Sequence, residues 1–227
     1  MRTTRTHRLA GLLTALVLAA CANGRPLPRT EAATQDFSAL EEATVTLFPG
    51  HCAGVVVADG RHALTAAHCI DGEAGQHLPV VLKDGQTLGG EVVLVDELKD
   101  VAVLRFPKAA PVRPLPVAHM LPPPGAGLLF AGRNDRPGSL QEVVLERLGR
   151  CPSLPGVPYA LFTSLHGKKG DSGAPLVNRQ LQVVGLVHGG AACSIATPTA
   201  DFASVLDTLV AELDRPRSAP GIGGGGH

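Results

Sequence analysis

Between Ala43 and Ala200 the chain is a succession of short apolar runs, each ended within a few residues by a turn signal. The runs are Thr44–Phe48, Ala53–Val57, His62–Ala67, Pro79–Leu82, Glu91–Val95, Val101–Phe106, Gly127–Ala131, Gln141–Leu145, Ala174–Val177 and Leu181–Val187. Asp59-Gly60, Asp84-Gly85, Gly89-Gly90 and Asn178-Arg179 stand between them. Val- and Leu-rich strands at roughly ten-residue spacing predict an all-β barrel or sandwich rather than βαβ units. Two barrels fit the length. The 27 Gly and 19 Pro among 227 residues supply the turns, and their share stays below the roughly 25–30% that marks a disordered chain.

Pro107–Pro124 is Pro-rich and separates two halves of similar size. It reads as a connector between barrels, and the other use of such a run is as an SH3-type ligand. Beyond Ala200 the period changes: Phe202, Val205, Leu206, Leu209, Val210 and Leu213 recur at helical spacing, with Asp201 placed to cap. The sequence therefore divides into barrels over 43–110 and 125–200, a helix over 201–214 stopped by Arg215-Pro216, and a tail over 216–227 expected to be disordered. No internal repeat is visible.

Arg2, Arg5 and Arg8 precede an apolar stretch from Leu9 to Ala20. The stretch is shorter than the roughly 20 residues that span a bilayer and has the length of a signal-peptide core. It ends in Leu18-Ala19-Ala20-Cys21, which resembles the lipobox of bacterial lipoproteins, where the Cys becomes the lipid-bearing first residue. The alternative is an ordinary small-residue cleavage site at Ala20-Cys21-Ala22, which would remove Cys21. Residues 1–20 are thus expected to be a signal peptide, and 21–42 a polar tether with a reach of about 25 Å. The expected location is the periplasm or cell envelope, or alternatively the secreted fraction.

Removing Arg2, Arg5 and Arg8 leaves 17 basic against 20 acidic side chains, a net charge of −3 in place of zero. Aromatics are 3%, with Tyr159 the one Tyr and no Trp. That balance argues against nucleic acid as a partner, since phosphate binding calls for a basic surface and base stacking for aromatics. Of 5 cysteines, Cys52, Cys69, Cys151 and Cys193 remain once Cys21 is set aside. That even number suits an exported, disulfide-bonded protein.

Three segments carry chemistry: Leu64-Thr65-Ala66-Ala67-His68-Cys69, Asp100-Val101-Ala102-Val103-Leu104 and Gly170-Asp171-Ser172-Gly173-Ala174-Pro175. A serine hydroxyl is a poor nucleophile near neutral pH and needs an adjacent base. Histidine has the pKa for that task. A buried carboxylate then fixes the imidazole tautomer and stabilises the imidazolium. In this order, on a two-barrel β pattern, the segments resemble the chymotrypsin/trypsin family of serine proteases over roughly residues 43–213.

The resemblance implies two six-stranded antiparallel barrels with a short C-terminal helix, the whole of 43–215 forming the protease domain. It implies Ser172 as nucleophile, His68 as general base and acid, and Asp100 as orienter, with Asp96 the rival carboxylate. The N–H groups of Gly170 and Ser172 would form the oxyanion hole. It also implies a Cys52–Cys69 disulfide bracing the histidine loop. Cys151 and Cys193 are then left for a second bridge near the substrate pocket, although Cys151 matches no family cysteine. By family alignment His166 lies at the pocket floor, Gly190 and Thr199 form its walls, and His188-Gly189-Gly190 is the substrate-binding strand. A floor Asp is missing, so Lys/Arg specificity is not expected. Acidic and small apolar preferences remain as alternatives.

No Arg-Ile-Val-Gly-Gly-like start precedes Cys52, so activity is expected without proteolytic activation. Asp171 then needs another partner, with Arg133 and Lys169 as candidates. His51, Cys52, His68 and Cys69 lack the close Cys pair of common zinc sites, and neither metal nor organic cofactor is expected. The implied activity is that of a monomeric serine endopeptidase acting on proteins or peptides, touching membrane only through a lipid at Cys21. The rival class is a binding module that keeps the fold without turnover. A quality-control protease of the HtrA kind is a third reading, though no peptide-binding domain follows residue 215.

Overall fold

A computed structural model describes residues 37–133, 140–152, 154–188 and 195–213. The signal segment, Cys21, most of the tether and the tail lie outside these residues. Among the described residues, no helix is long and apolar enough to cross a membrane.

The described chain forms two closed barrels of six antiparallel strands. The first contains β1 Thr44–Leu47, β2 Cys52–Val57, β3 His62–Thr65, β4 His77–Val81, β5 Thr87–Asp96 and β6 Val101–Arg105. The second contains β7 Gly127–Ala131, β8 Leu140–Gly149, β9 Ala160–Thr163, β10 Pro175–Val177, β11 Val183–Val187 and β12 Ile195–Pro198. Around the first barrel the order is β1-β2-β3-β6-β5-β4, and around the second β7-β8-β9-β12-β11-β10. The two barrels therefore repeat one topology that the sequence does not display as a repeat.

The strands nearest the seam explain why the sequence shows unbroken apolar runs instead of alternation. In β6, Ala102 and Leu104 fill the first barrel while Val101 and Val103 face a core shared between the barrels. In β7, Leu128 and Phe130 fill the second barrel while Leu129 and Ala131 face the shared core. Strand β2 does the same with Val56 inward and Val55 and Val57 at the seam. Phe106 and Phe130, one in each barrel core, are 1% exposed, and full burial of such a side chain is worth roughly 1.5–3 kcal/mol.

The Pro-rich connector is pinned to both barrels. Leu115 donates its N–H to Val56 O at 3.0 Å, and Ala118 donates to Val183 O at 2.9 Å. The helix α2, Ala200–Leu213, buries Phe202 and Leu206 in the shared core. It begins at Ala200, so Asp201 lies inside its first turn rather than at the cap. The end of the expected tether is also structured: Ser38–Ala43 forms helix α1, whose Leu40 and Ala43 sit fully buried in the shared core.

Candidate active site

The nucleophile turn belongs to the second barrel but is built against the first. Ala53, at the start of β2, donates its N–H to Ser172 O at 2.8 Å. Thr65, at the end of β3, donates its hydroxyl to Ala53 O at 2.7 Å. Gly173 lies in the left-handed region at φ 81°. A Cβ there would collide with Ala53 O and Thr65 Oγ1 and come within 3.0 Å of Ala66 N. The glycine is thus required twice, by its φ and by the close approach of the two barrels.

Gly173→Ala is accordingly expected to lower the free energy of unfolding by roughly 3 kcal/mol, from left-handed strain together with overpacking. Gly85, at φ 87° with open space around its Cβ position, supplies the control. Gly85→Ala is expected to cost only the strain component, about 1 kcal/mol. Urea denaturation midpoints of the two variants check the difference, and equal shifts would contradict the docking role of Gly173.

His68 sits in the 3-10 turn Ala67–Cys69 directly after β3. Cys69 is bonded to Cys52 with Cα atoms 6.0 Å apart. This crosslink ties the histidine loop to the start of β2, and a loop of this size gives about 3 kcal/mol in the chain-entropy description. The same bond takes both sulfurs out of the His51/Cys52/His68/Cys69 grouping as thiolate ligands. Cys151 is buried in the second half, and its expected partner Cys193 lies outside the described residues.

Asp100 occupies the turn between β5 and β6 at φ 53°, a conformation that Asp tolerates better than most side chains. From there its buried carboxylate reaches back to His68. Oδ1 accepts the His68 backbone N–H at 3.0 Å and the Nδ1–H at 2.9 Å, and Oδ2 lies 3.0 Å from the same Nδ1. A second imidazole shares the carboxylate: His188, just after β11, places Nδ1 2.6 Å from Oδ2. Burial would raise the Asp100 pKa, but hydrogen bonds from His188 and then His68 outweigh it and hold the pKa at about 2. An ionised carboxylate only accepts, so both histidines carry their proton on Nδ1 and leave Nε2 as the basic atom. The rival Asp96 is turned away, accepting the Lys99 N–H at 3.0 Å.

The Ser172 hydroxyl donates to His188 O at 3.1 Å, so among the described residues its hydrogen bond goes there and not to His68. Gly170, at φ 92°, turns the chain ahead of Ser172. Among the described residues, neither the Gly170 nor the Ser172 N–H donates a backbone hydrogen bond in this turn. Asp171 is buried, and its Oδ2 accepts the Lys168 N–H at 2.7 Å. Arg133, one of its candidate partners, donates Nη1 to His51 O at 2.8 Å.

The expected pocket residues are described only in part. His166 is exposed. Thr199 is fully buried, and its hydroxyl donates to Val183 O at 2.8 Å. Gly189 and Gly190 lie outside the described residues. The ring of His188, read as part of a substrate-binding strand, packs edge-on to His68 at a centroid distance of 4.8 Å. The signal available in the sequence was a histidine ending the apolar run of β11, but nothing there indicates its neighbour Asp100. Ligand-type atoms of His68, Asp100 and His188 lie within 4.8 Å of one another. That metal-like grouping is already held together by hydrogen bonds between the imidazoles and the carboxylate.

Two closed barrels of six antiparallel strands define the chymotrypsin-like class of fold. The profile of the trypsin-like peptidase domain matches residues 52–186. The chain belongs to that family. HhoA and HhoB of Synechocystis sp., both provisionally named serine proteases, are each 28% identical, over 144 and 142 residues and 60% of this chain. The matched regions are 36% and 34% of those proteins, so the chain spans about a third of their length.

Among solved structures, the inactive form of the Rv3671c protease superposes with a TM-score of 0.59 at 22% identity, covering 76% of this chain and 91% of that one. A variant of the HtrA-type protease AlgW with a tripeptide gives 0.65 at 18% identity, covering 78% and 62%. These two likenesses concern the fold.

Proposed function

We propose that this chain is a serine endopeptidase. Ser172 attacks the scissile carbonyl, His68 Nε2 takes its proton and returns it to the leaving amine, and Asp100 stabilises the imidazolium formed on the way. Water activated by His68 then releases the acyl group from Ser172. The N–H groups of Gly170 and Ser172 receive the oxyanion, each such donor being worth about 2.7–4 kcal/mol in the transition state. The observation that carries this reading is the double grip of Asp100 on His68, through backbone N–H and ring Nδ1. It fixes the tautomer that a base facing Ser172 requires.

The Lys168 N–H on Asp171 gives that carboxylate a partner within its own turn, which supports activity without prior cleavage. The Cys52–Cys69 disulfide supports an oxidising compartment, as export would provide. Lipidation at Cys21, a monomeric state and a protein or peptide substrate complete the proposal. The missing floor acid argues against Lys/Arg preference. The alternatives for the residue before the scissile bond are an acidic and a small apolar side chain.

A second reading, a binding module without turnover, draws on the Ser172 hydroxyl resting on His188 O. Fluorophosphonate labelling separates the two, because only a serine activated by its base is phosphonylated. The wild-type chain is expected to label at Ser172 at neutral pH without nicking by another protease. Failure to label across pH 6–9, before and after nicking, would establish the binding module instead.

A further inference from the structure

We propose that His188 is a positioning residue for Asp100, and that the candidate site works only while His188 and His68 are both neutral. The inference rests on the Ser172/His68/Asp100 reading and adds a second histidine to it. His188 Nδ1 approaches Asp100 Oδ2 at 2.6 Å, closer than His68 comes to either oxygen. Its side chain is 16% exposed against 40% for His68. One buried carboxylate therefore carries two imidazoles, edge to face at 4.8 Å.

With both Nδ1–H groups committed to Asp100, an added proton must go to an Nε2. A proton on His68 removes the base. A proton on His188 leaves the base intact but pairs Asp100 with a cation at hydrogen-bond distance. The carboxylate charge is then spent, and the imidazolium that His68 must become has a like charge beside it in place of an uncommitted counter-ion. Both singly protonated forms are inactive.

Among the described residues, Arg133 is the charged side chain set against Gly170 at the head of the nucleophile turn, where it donates to His51 O. Strands β10 and β12, which flank β11, contain no ionisable residue. Asp100 and His68 face His188 from the first barrel. From the nucleophile turn Ser172 faces the His188 carbonyl, and the neighbouring Asp171 carboxylate is turned to the Lys168 N–H.

The test compares wild type, His188→Ala and His188→Asn. The acid limb of log kcat/KM between pH 4.5 and 8.5, on an unfolded-protein substrate, is expected to steepen toward a slope of 2 in wild type and to stay at 1 in His188→Asn. On the plateau, His188→Ala is expected to lose about 10–100-fold in kcat with KM retained, the loss typical of one hydrogen bond to a charged group. Asn, which still offers an N–H to Asp100, recovers most of it. A slope of 1 with the same midpoint in wild type and His188→Asn would overturn the inference.

A second measurement is independent of turnover. NMR titration of the imidazole resonances is expected to show a His68 curve altered in His188→Asn, and an unchanged curve again overturns the coupling. A wild type that neither labels nor cleaves, yet shows the coupled titration, would sink the proposed function and leave the His188–Asp100–His68 linkage standing.

Discussion

Ser172→Ala is expected to lower kcat about a million-fold on a fluorescently labelled unfolded protein, since removing the nucleophile of such a triad typically costs that much. The loss corresponds to about 8 kcal/mol of transition-state stabilisation. It is chemical rather than structural. The backbone carbonyl of Ser172 that accepts from Ala53, and Gly173 beside it, are untouched by the change. The hydroxyl contributes one hydrogen bond, to His188 O, so the unfolding midpoint should move little. Residual hydrolysis above about a tenth of wild type would mean that another group is the nucleophile.

The next largest effect is expected at Asp100→Asn, which should lower kcat about ten-thousand-fold by allowing the wrong imidazole tautomer. Asn is a strict test because it has nearly the same shape and also tolerates the left-handed conformation at φ 53°. Its amide offers one acceptor oxygen where the carboxylate offered two. With His68 and His188 both donating to Asp100, one ring must turn or exchange its proton.

The pH behaviour follows from the same contacts. The folded-state pKa of Asp100, about 2, lies below the unfolded value. Its contribution to stability, roughly 2 kcal/mol, is therefore fully present above about pH 4 and is lost as the pH falls through 2. No loss of activity between pH 4 and 9 is then assigned to protonation of Asp100. A kcat for Asp100→Asn within tenfold of wild type would remove Asp100 from the mechanism.

The barrels were legible because the seam strands are apolar on both faces. Val101 to Leu104 read as a run for the physical reason that they are buried in two cores at once. The elements not anticipated are those whose burial leaves little trace in four to six residues. Strand β12 contains Ala196, Thr197 and Pro198, and reads as loop. Strand β9 follows a Pro-containing stretch ending at Tyr159. Helix α1 carries three polar residues among Ser38–Ala43 and is too short to display a period, although Leu40 and Ala43 fall on one face.

The triad candidates were legible as strings because each lies next to its own structural signal: a strand end, a strand start and a glycine turn. His188 was not, because its partner lies 88 residues away and only barrel docking brings the end of β11 to the β5–β6 turn. The same limit applies to Thr199. Alignment by position placed it on a pocket wall, while its hydroxyl is committed to Val183 O inside the core.

Burial of β2, β6 and β7 in two cores has a consequence for how such a chain can drift. A strand with one wet face offers every second position to neutral substitution. These strands offer almost none, and a change that suits one core is judged again by its neighbours in sequence, which answer to the other. Diversity is then expected to collect in β5 and β8, where exposed and buried positions still mix. Relatives would differ most on the flanks and least along the line where the two halves meet.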